Sequence, residues 1–259
     1  MNAPFLQMDE YQLYIKRLSS PAVKNNLPTM IFLHDSWGCV DMWGDFPKMV
    51  SKMAGLDVLM YDRRGYGKSS GFAVTERTDQ YLHDEAHELI RVMDAYNIEN
   101  VLIYGHSDGA TIALIAAALY PSRIKGLLLE GPHSFIEDSG KMAVLATRER
   151  AKETNLLASL EKYHGDKAAE LFRLWHETWL SDLFLKWTIV PILNRISCPV
   201  LAFQGESDEF GTIEQLNVLK REIPTNVTVA EIRNAGHTPR KEAETETMDL
   251  LTNWLKSIP

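Results

Sequence analysis

The sequence has few of the features that mark secreted, membrane-spanning or metal-binding proteins. Only two cysteines, Cys39 and Cys198, occur in 259 residues, and they lack metal-ligand spacing. We therefore expect two reduced thiols, no metal site and a cytoplasmic location. No stretch approaches the roughly 18 apolar residues of a membrane-spanning helix, and the N-terminal segment lacks the basic and apolar regions of a secretory signal. A membrane is therefore not an expected partner.

Positive charge is also scarce. The chain has 27 lysines and arginines against 35 aspartates and glutamates, a formal net charge of −8. Nucleic acids and anionic membranes bind basic surfaces, so neither is expected as a partner. The hydrophobic share of 45% is ordinary for a globular protein and is enough for a sizeable core.

Short apolar runs alternate with helical patterns along the chain. The predicted strands are residues 12–18, 29–33, 56–61, 101–104, 124–129, 199–203 and 228–232, and the predicted helices between them are residues 77–96, 107–119, 214–223 and 243–255. Near-continuous apolar strands are typical of a sheet that is buried on both faces. The alternation therefore predicts an α/β fold with a mostly parallel sheet flanked by helices.

Residues 132–193 interrupt this alternation. They contain helical patterns at 141–154 and 167–180, three tryptophans and no convincing strand. We interpret them as a helical cap inserted into a core formed by residues 1–131 and 194–259. A cap over the carboxyl edge of the sheet predicts an apolar pocket for a small-molecule substrate.

The motif Gly105-His106-Ser107-Asp108-Gly109 is the first candidate for chemistry. A G-x-S-x-G pattern alone occurs by chance about once in ten chains of this length. Here it lies between a predicted buried strand and a predicted helix, the context of a nucleophile elbow. The tight turn strains the backbone at Ser107 and needs small residues two positions before and after it. A plain turn with an incidental serine is the alternative.

A nucleophilic serine needs a base, and the base needs a third group that orients it. His237 lies in a loop after the last predicted strand, and Asp208 follows strand 199–203. Glu206, Glu209 and Glu130 are alternative acids. The order serine, acid, histidine is the one expected of α/β-hydrolases.

Several motifs resemble capped esterases and lactonases of the α/β-hydrolase superfamily, such as 3-oxoadipate enol-lactonases. They are LH at 33–34, YDRRGYGKS at 61–69, GHSDG at 105–109, GESD at 205–208 and GH at 236–237. The resemblance implies the α/β-hydrolase fold with an inserted cap and a triad of Ser107, Asp208 and His237. It also implies cleavage of an ester-type bond without a metal or organic cofactor. It does not identify the substrate.

The loop after strand 29–33 departs from the family pattern, because relatives usually have His-Gly where this chain has His34-Asp35. This loop should supply one N–H of the oxyanion hole, with Ser36 as the expected donor and Trp37 as the alternative. Asp108 should supply the other N–H. A carboxylate at Asp35 would oppose a developing oxyanion unless it points away.

Four further side chains are candidates for substrate binding. They are His34, His133, Trp175 and Trp179, which lie at the ends of predicted strands or in the cap. Two other patterns are weaker. The GYGKS run at 65–69 lacks the first glycine of a phosphate-binding loop, and the histidines at 83 and 87 lack the glutamate and third ligand of a zinc protease.

The sequence thus predicts a serine hydrolase that cleaves a small to medium, largely apolar carboxylic ester, lactone or thioester. A cofactor-free oxygenase, a perhydrolase or a lyase on the same fold is an alternative, as is a non-catalytic small-molecule receptor. Dehalogenases and epoxide hydrolases of this fold use an aspartate where Ser107 stands, which argues against both. The acyl and leaving groups stay open, and so does association into a homo-oligomer.

Overall fold

A mostly parallel sheet lies at the centre of the structure, a computed structural model that describes residues 4–20 and 28–257. Within those residues its strands are β1 (Phe5–Gln7), β2 (Gln12–Leu18), β3 (Thr29–Leu33), β4 (Val58–Tyr61), β5 (Val101–His106), β6 (Ile124–Glu130), β7 (Val200–Gly205) and β8 (Val227–Ile232). Their order across the sheet is β1-β2-β4-β3-β5-β6-β7-β8. The pairs β1–β2 and β2–β4 are antiparallel and the others are parallel. The predicted α/β class and sheet are confirmed.

Helices cover both faces of this sheet. They are α1 (Phe46–Ala54), α2 (Tyr81–Ala95), α3 (Asp108–Leu119), α4 (Asp138–Arg150), α5 (Leu156–His164), α6 (Ala168–Leu180), α7 (Val190–Leu193), α8 (Glu214–Glu222), α9 (Pro239–Glu242) and α10 (Glu244–Ser257). Helices α2, α3 and α8 pack on one face, and α1 and α10 pack on the other. All residues of β4, β5 and β7 are buried, as expected of strands between two helical layers.

The segment between β6 and β7 contains α4 to α7, which we call the inserted helices, and short 3-10 helices at Gly165–Lys167 and Phe184–Lys186. His164, at the end of α5, joins them to the core. Its Nδ1 accepts the Gly67 N–H at 2.9 Å, and its Nε2 lies 2.8 Å from the Trp37 carbonyl oxygen. Two core loops are therefore bound to one point of the inserted helices.

Some elements differ from the sequence predictions. Strand β1 is only three residues long and largely exposed, so it gives no apolar signal. Helix α1 was missed because Pro47 suggests a break, although proline is well tolerated in the first turn of a helix. Helix α4 begins at Asp138 and ends at Arg150, whereas the pattern predicted 141–154. Helix α5 was also missed.

Both cysteines are buried and free. Burial raises the pKa of Cys39 to about 12 and that of Cys198 to about 11, so neither is a reactive thiolate at neutral pH. None of the helices in residues 4–20 and 28–257 is long and apolar enough to span a bilayer.

Candidate active site

Ser107 lies in the sharp turn between β5 and α3 and has φ +54° and ψ −118°. A non-glycine residue in such a conformation costs on the order of 1–3 kcal/mol, which the surrounding structure must offset. The flanking glycines make the turn possible. A Cβ at Gly105 would lie 2.4 Å from the Gly109 carbonyl oxygen, and a Cβ at Gly109 would lie 2.0 Å from that of Leu33. The glycine spacing is therefore required by steric contact.

His237 and Asp208 meet at the carboxyl end of the sheet, in the loops that follow β8 and β7. His237 Nδ1 lies 2.9 Å from both carboxylate oxygens of Asp208. A carboxylate can only accept, so Nδ1 carries the hydrogen and Nε2 is left as an acceptor. The Phe210 N–H also donates to Asp208 Oδ1 at 2.9 Å. The imidazole is thus held in the tautomer that a general base needs.

The two partners shift each other's pKa. Burial raises the pKa of Asp208, but the charge and hydrogen bond of His237 outweigh burial and lower it overall. Burial lowers the pKa of His237, but Asp208 outweighs burial and raises it above its usual value. The pair therefore favours a carboxylate beside a readily protonated imidazole.

Glu130, the main alternative acid, is bound elsewhere. Its side chain is fully buried and accepts hydrogen bonds from the Tyr104 hydroxyl at 2.8 Å, the Arg240 N–H at 2.8 Å and the Arg240 guanidinium. Burial raises the pKa of Glu130, but Arg240 outweighs it and lowers the pKa overall. Glu130 therefore joins β6 to α9, which begins two residues after His237. The bonds to Tyr104 and Arg240 occupy its carboxylate, and the His237 imidazole is bonded to Asp208 instead.

We expect Glu130→Gln to destabilise the fold by about 3 kcal/mol, because it leaves the Arg240 cation buried without its counter-charge. Urea unfolding of the variant would measure this loss. Asp94→Asn is the control, because Asp94 pairs with Arg123 at 2.7 Å but has a side chain that is 61% exposed. That change should cost less than about 1 kcal/mol. Equal losses in the two variants would contradict a structural role for the buried pair.

Ser36 and Asp108 have N–H groups that are free for an oxyanion. Neither donates a hydrogen bond within residues 4–20 and 28–257. The Asp108 N–H also stands at the positive end of α3. The Trp37 N–H, in contrast, donates to Asp35 Oδ1 at 2.8 Å and is occupied. We therefore retain Ser36 and Asp108 as the candidate donors and set Trp37 aside.

The Asp35 carboxylate is held by partners other than these two donors. Besides the Trp37 N–H, the carboxylate contacts His106 Nδ1 at 3.0 Å, and His106 Nε2 lies 2.9 Å from the His237 carbonyl oxygen. Burial raises the pKa of Asp35, but the hydrogen bond and charge of His106, the charge of Arg240 and the Trp37 N–H together outweigh burial and hold the pKa well below its usual range. His106 was not singled out from the sequence, where it occupies a variable position of the G-x-S-x-G motif.

A cavity of about 380 Å³ lies over Ser107 and His237. Its walls include His133, Trp175 and Trp179, three of the four residues that the sequence proposed for substrate binding. Apolar side chains of the inserted helices complete it, among them Val144, Leu156 and Leu160. The cavity has the size and apolar walls of a small-molecule site.

The two candidate histidines differ in position. His133 has its ring 5.8 Å from the His237 ring, and burial lowers its pKa to about 4, so it is neutral at physiological pH. His34 does not line the cavity. Its Nε2 accepts the Arg63 N–H at 3.1 Å and its Nδ1 lies 2.8 Å from the Asp35 carbonyl oxygen. We therefore assign His34 a structural role instead of a substrate contact.

No group of three or more histidine, cysteine, aspartate or glutamate side chains is placed to hold a metal ion in the described part of the chain. Two histidines one turn apart on α2, at 83 and 87, therefore lack the further ligand that a zinc site would need.

Comparison with known proteins identifies relatives of this arrangement. The sequence profile of the alpha/beta hydrolase fold family matches residues 28–178. Over 159 residues, 58% of this chain, the sequence is 30% identical to the serine hydrolase BPHL of Homo sapiens, and the match covers 53% of that protein. The chain thus spans about half the length of this curated relative.

Solved structures are similar over nearly the whole chain. MGS-M2, an alpha/beta hydrolase enzyme from a Medee basin deep-sea metagenome library, has a TM-score of 0.79 at 21% identity and covers 98% of both chains. The enol-lactonase from Burkholderia xenovorans LB400 has a TM-score of 0.76 at 18% identity and covers 98% of this chain and all of its own. At these identities the likeness concerns the fold alone.

Proposed function

The chain belongs to the alpha/beta hydrolase fold family, and we propose that within it this protein is a serine hydrolase acting through an acyl-enzyme on Ser107. One observation carries the proposal: a serine in a strained strand-to-helix turn and an imidazole already bound to a carboxylate line the same cavity. That combination is the arrangement that activates an alcohol as a nucleophile.

The reaction would proceed in two halves. His237 Nε2 accepts the hydroxyl proton while Ser107 Oγ bonds to the substrate carbonyl carbon, and Asp208 stabilises the resulting imidazolium. The Ser36 and Asp108 N–H groups hold the oxyanion. As the tetrahedral intermediate collapses, the imidazolium gives its proton to the leaving group. Water, deprotonated by the same imidazole, then attacks the acyl-enzyme. The imidazolium returns that proton to Ser107 Oγ as its bond to the acyl carbon breaks, and the carboxylic acid is released.

The cavity supports a small to medium, largely apolar carboxylic ester, lactone or thioester as the substrate class. Its walls carry Trp175, Trp179 and aliphatic side chains, so most of a bound molecule would touch apolar atoms. His133 is the candidate for a directional contact, because a neutral imidazole can donate one hydrogen bond and accept another.

We also propose that residues 132–193 act as a cap on the site, since the inserted helices contribute much of the cavity wall. Trp175 on α6 packs edge-on against Trp37, with ring centroids 4.4 Å apart. Trp37 lies in the loop after β3 that carries the candidate donor Ser36, which we call the oxyanion loop. Cap and oxyanion loop are thus in direct contact beside the catalytic serine.

A panel of short esters, lactones and thioesters would test the function, together with fluorophosphonate labelling and mass mapping of the modified residue. We expect turnover of at least one class and labelling at Ser107. Labelling at another residue, or oxygen uptake or carbon–carbon bond cleavage in place of ester turnover, would contradict the proposal. Tight retention of a ligand without product would instead support a receptor.

The pH dependence should follow His237. The base must be neutral to accept the serine proton, so kcat/KM should rise with pH through the pKa of His237. Because Asp208 raises that pKa, the acidic limb should lie above pH 6.5. In Asp208→Asn the limb should move to lower pH. Ester hydrolysis measured between pH 5 and 9 would check both, and an unmoved limb would remove His237 as the titrating base.

A further inference from the structure

Arg63 is a fully buried arginine directly behind the proposed oxyanion hole. It follows β4 and lies over the Tyr66 ring, with the guanidinium carbon 4.3 Å from the ring centroid. Its own N–H donates to His34 Nε2. Burying a guanidinium is costly unless it is paired, so its partners indicate what it is there to hold.

Two of those partners, Asp35 and Asp108, belong to the peptides that carry the proposed oxyanion donors. Arg63 Nη2 donates to the Asp35 carbonyl oxygen at 2.9 Å and lies 3.6 Å from Asp108 Oδ2. The Asp35 carbonyl and the Ser36 N–H are opposite ends of one planar peptide. The same carbonyl oxygen also lies 2.8 Å from His34 Nδ1 and accepts the Gly38 N–H at 3.2 Å. Arg63 is the charged donor of the three, and together they fix the carbonyl on this side and turn the Ser36 N–H to the other side.

The second contact concerns charge. Asp108 is fully buried and follows the nucleophile, so its carboxylate would repel an oxyanion forming beside its own N–H. Arg63 supplies a positive counter-charge, and the Tyr81 hydroxyl donates to the same oxygen at 3.2 Å. Both contacts hold the carboxylate on the side of α3 that faces the core.

We propose that Arg63 is a positioning residue for the oxyanion hole: one guanidinium nitrogen aligns the Ser36 peptide and neutralises Asp108. The inference rests on the proposed serine hydrolase function. Arg63 is not among the cavity-lining residues, so its loss should weaken stabilisation of the transition state and leave ground-state binding of the substrate largely intact.

Arg63→Lys tests this, because lysine keeps the charge but its side chain ends one bond short of the Arg63 Nη2 that makes both contacts. We expect kcat for a turned-over ester to fall about tenfold to a hundredfold with KM nearly unchanged, less than the loss on removing an oxyanion donor itself. Arg77→Lys is the matched control. Like Arg63, Arg77 lies near the Tyr66 ring, and it donates to the Tyr66 hydroxyl at 2.8 Å. Within the described residues it makes no hydrogen bond to Asp35. It should retain kcat.

A second control, Glu85→Gln, distinguishes a general loss of stability from a misplaced oxyanion hole. Glu85 pairs with Arg63 Nη1 at 3.7 Å, away from Asp35. It should lower the free energy of unfolding without lowering kcat. The amide resonances of Ser36 and Asp108 should shift in Arg63→Lys and stay in both controls. Should Arg63→Lys not fold, Arg63→Gln combined with Glu85→Gln removes one charge of each sign and should show the same kcat loss.

The outcomes are distinct. Equal kcat values in Arg63→Lys and Arg77→Lys, with an active wild type, overturn the role of Arg63 alone. A kcat loss in Glu85→Gln that matches its loss of stability also overturns it. A wild-type protein without Ser107-dependent turnover overturns the proposed function, and this inference with it.

Discussion

Replacing Ser107 with alanine should lower kcat for a turned-over ester by about 10⁴- to 10⁶-fold. The change removes the oxygen that forms the acyl-enzyme, so hydrolysis would depend on direct attack by water at an oxyanion hole that is still in place. Alanine shares the backbone preferences of serine, so the strained turn at φ +54° should persist and the variant should fold. Steady-state kinetics and the loss of fluorophosphonate labelling measure the effect.

Ser122→Ala serves as the control for this change. Ser122 is exposed in the turn between α3 and β6, at the opposite end of the sheet from the cavity. It should keep both turnover and labelling. A Ser107→Ala variant that retained more than about one hundredth of wild-type kcat would exclude a covalent role for this serine, because residual catalysis without a nucleophile lies far lower.

Replacing Asp208 with asparagine should lower kcat by about 10⁴-fold with the fold intact. In the wild-type protein, the Asp208 carboxylate accepts a hydrogen bond from His237 Nδ1 at 2.9 Å. An amide group can donate to Nδ1, which favours the tautomer with hydrogen on Nε2. That tautomer cannot take the proton from Ser107, and the imidazolium also loses its counter-charge.

Glu206→Gln is the matched control for Asp208→Asn. Glu206 lies two positions earlier in the same loop, is exposed, and its carboxylate accepts a long hydrogen bond from the Asn234 N–H at 3.4 Å. It should change kcat less than about threefold, as expected of a surface charge. Similar losses in the two variants would mean that the loop needs its negative charge in general and would remove Asp208 from the proposed triad.

Much of the fold was accessible from the sequence because it rests on local patterns. Buried parallel strands are apolar throughout, and the Gly105 and Gly109 spacing follows from one steric contact inside the turn and one with the neighbouring strand β3. The inserted helices stood out because the strand pattern stops. Helix α1 and strand β1 were missed because one has Pro47 in its first turn and the other is short and largely exposed.

The finer parts of the site depend on contacts between distant segments, which no local pattern encodes. The sequence favoured Asp208 but left Glu130 as an alternative, since both lie at the same edge of the predicted sheet. Arg240, 110 positions further along the chain, donates hydrogen bonds to Glu130, whereas Asp208 is the carboxylate bonded to His237. The orientation of Asp35 depends likewise on His106. We propose that the orientation of Ser36 depends on Arg63, which the sequence analysis placed in the motif at 61–69 without a role of its own.

The two hydrogen bonds of His164 bear on how molecules enter and leave the site. The junction of α5 and α6 cannot lift from the core without breaking its bonds to Gly67 and to the Trp37 carbonyl. Helix α4 has no such bond to either loop, and Lys141 on this helix lines the cavity while remaining partly exposed. The N-cap residue of α4, Glu137, is held to the core by the Thr212 N–H at 3.0 Å and by Gln215 Nε2 at 2.7 Å. We therefore expect product departure to proceed by displacement of the C-terminal part of α4, so that the lifetime of the bound acid depends on how tightly this part packs against α6.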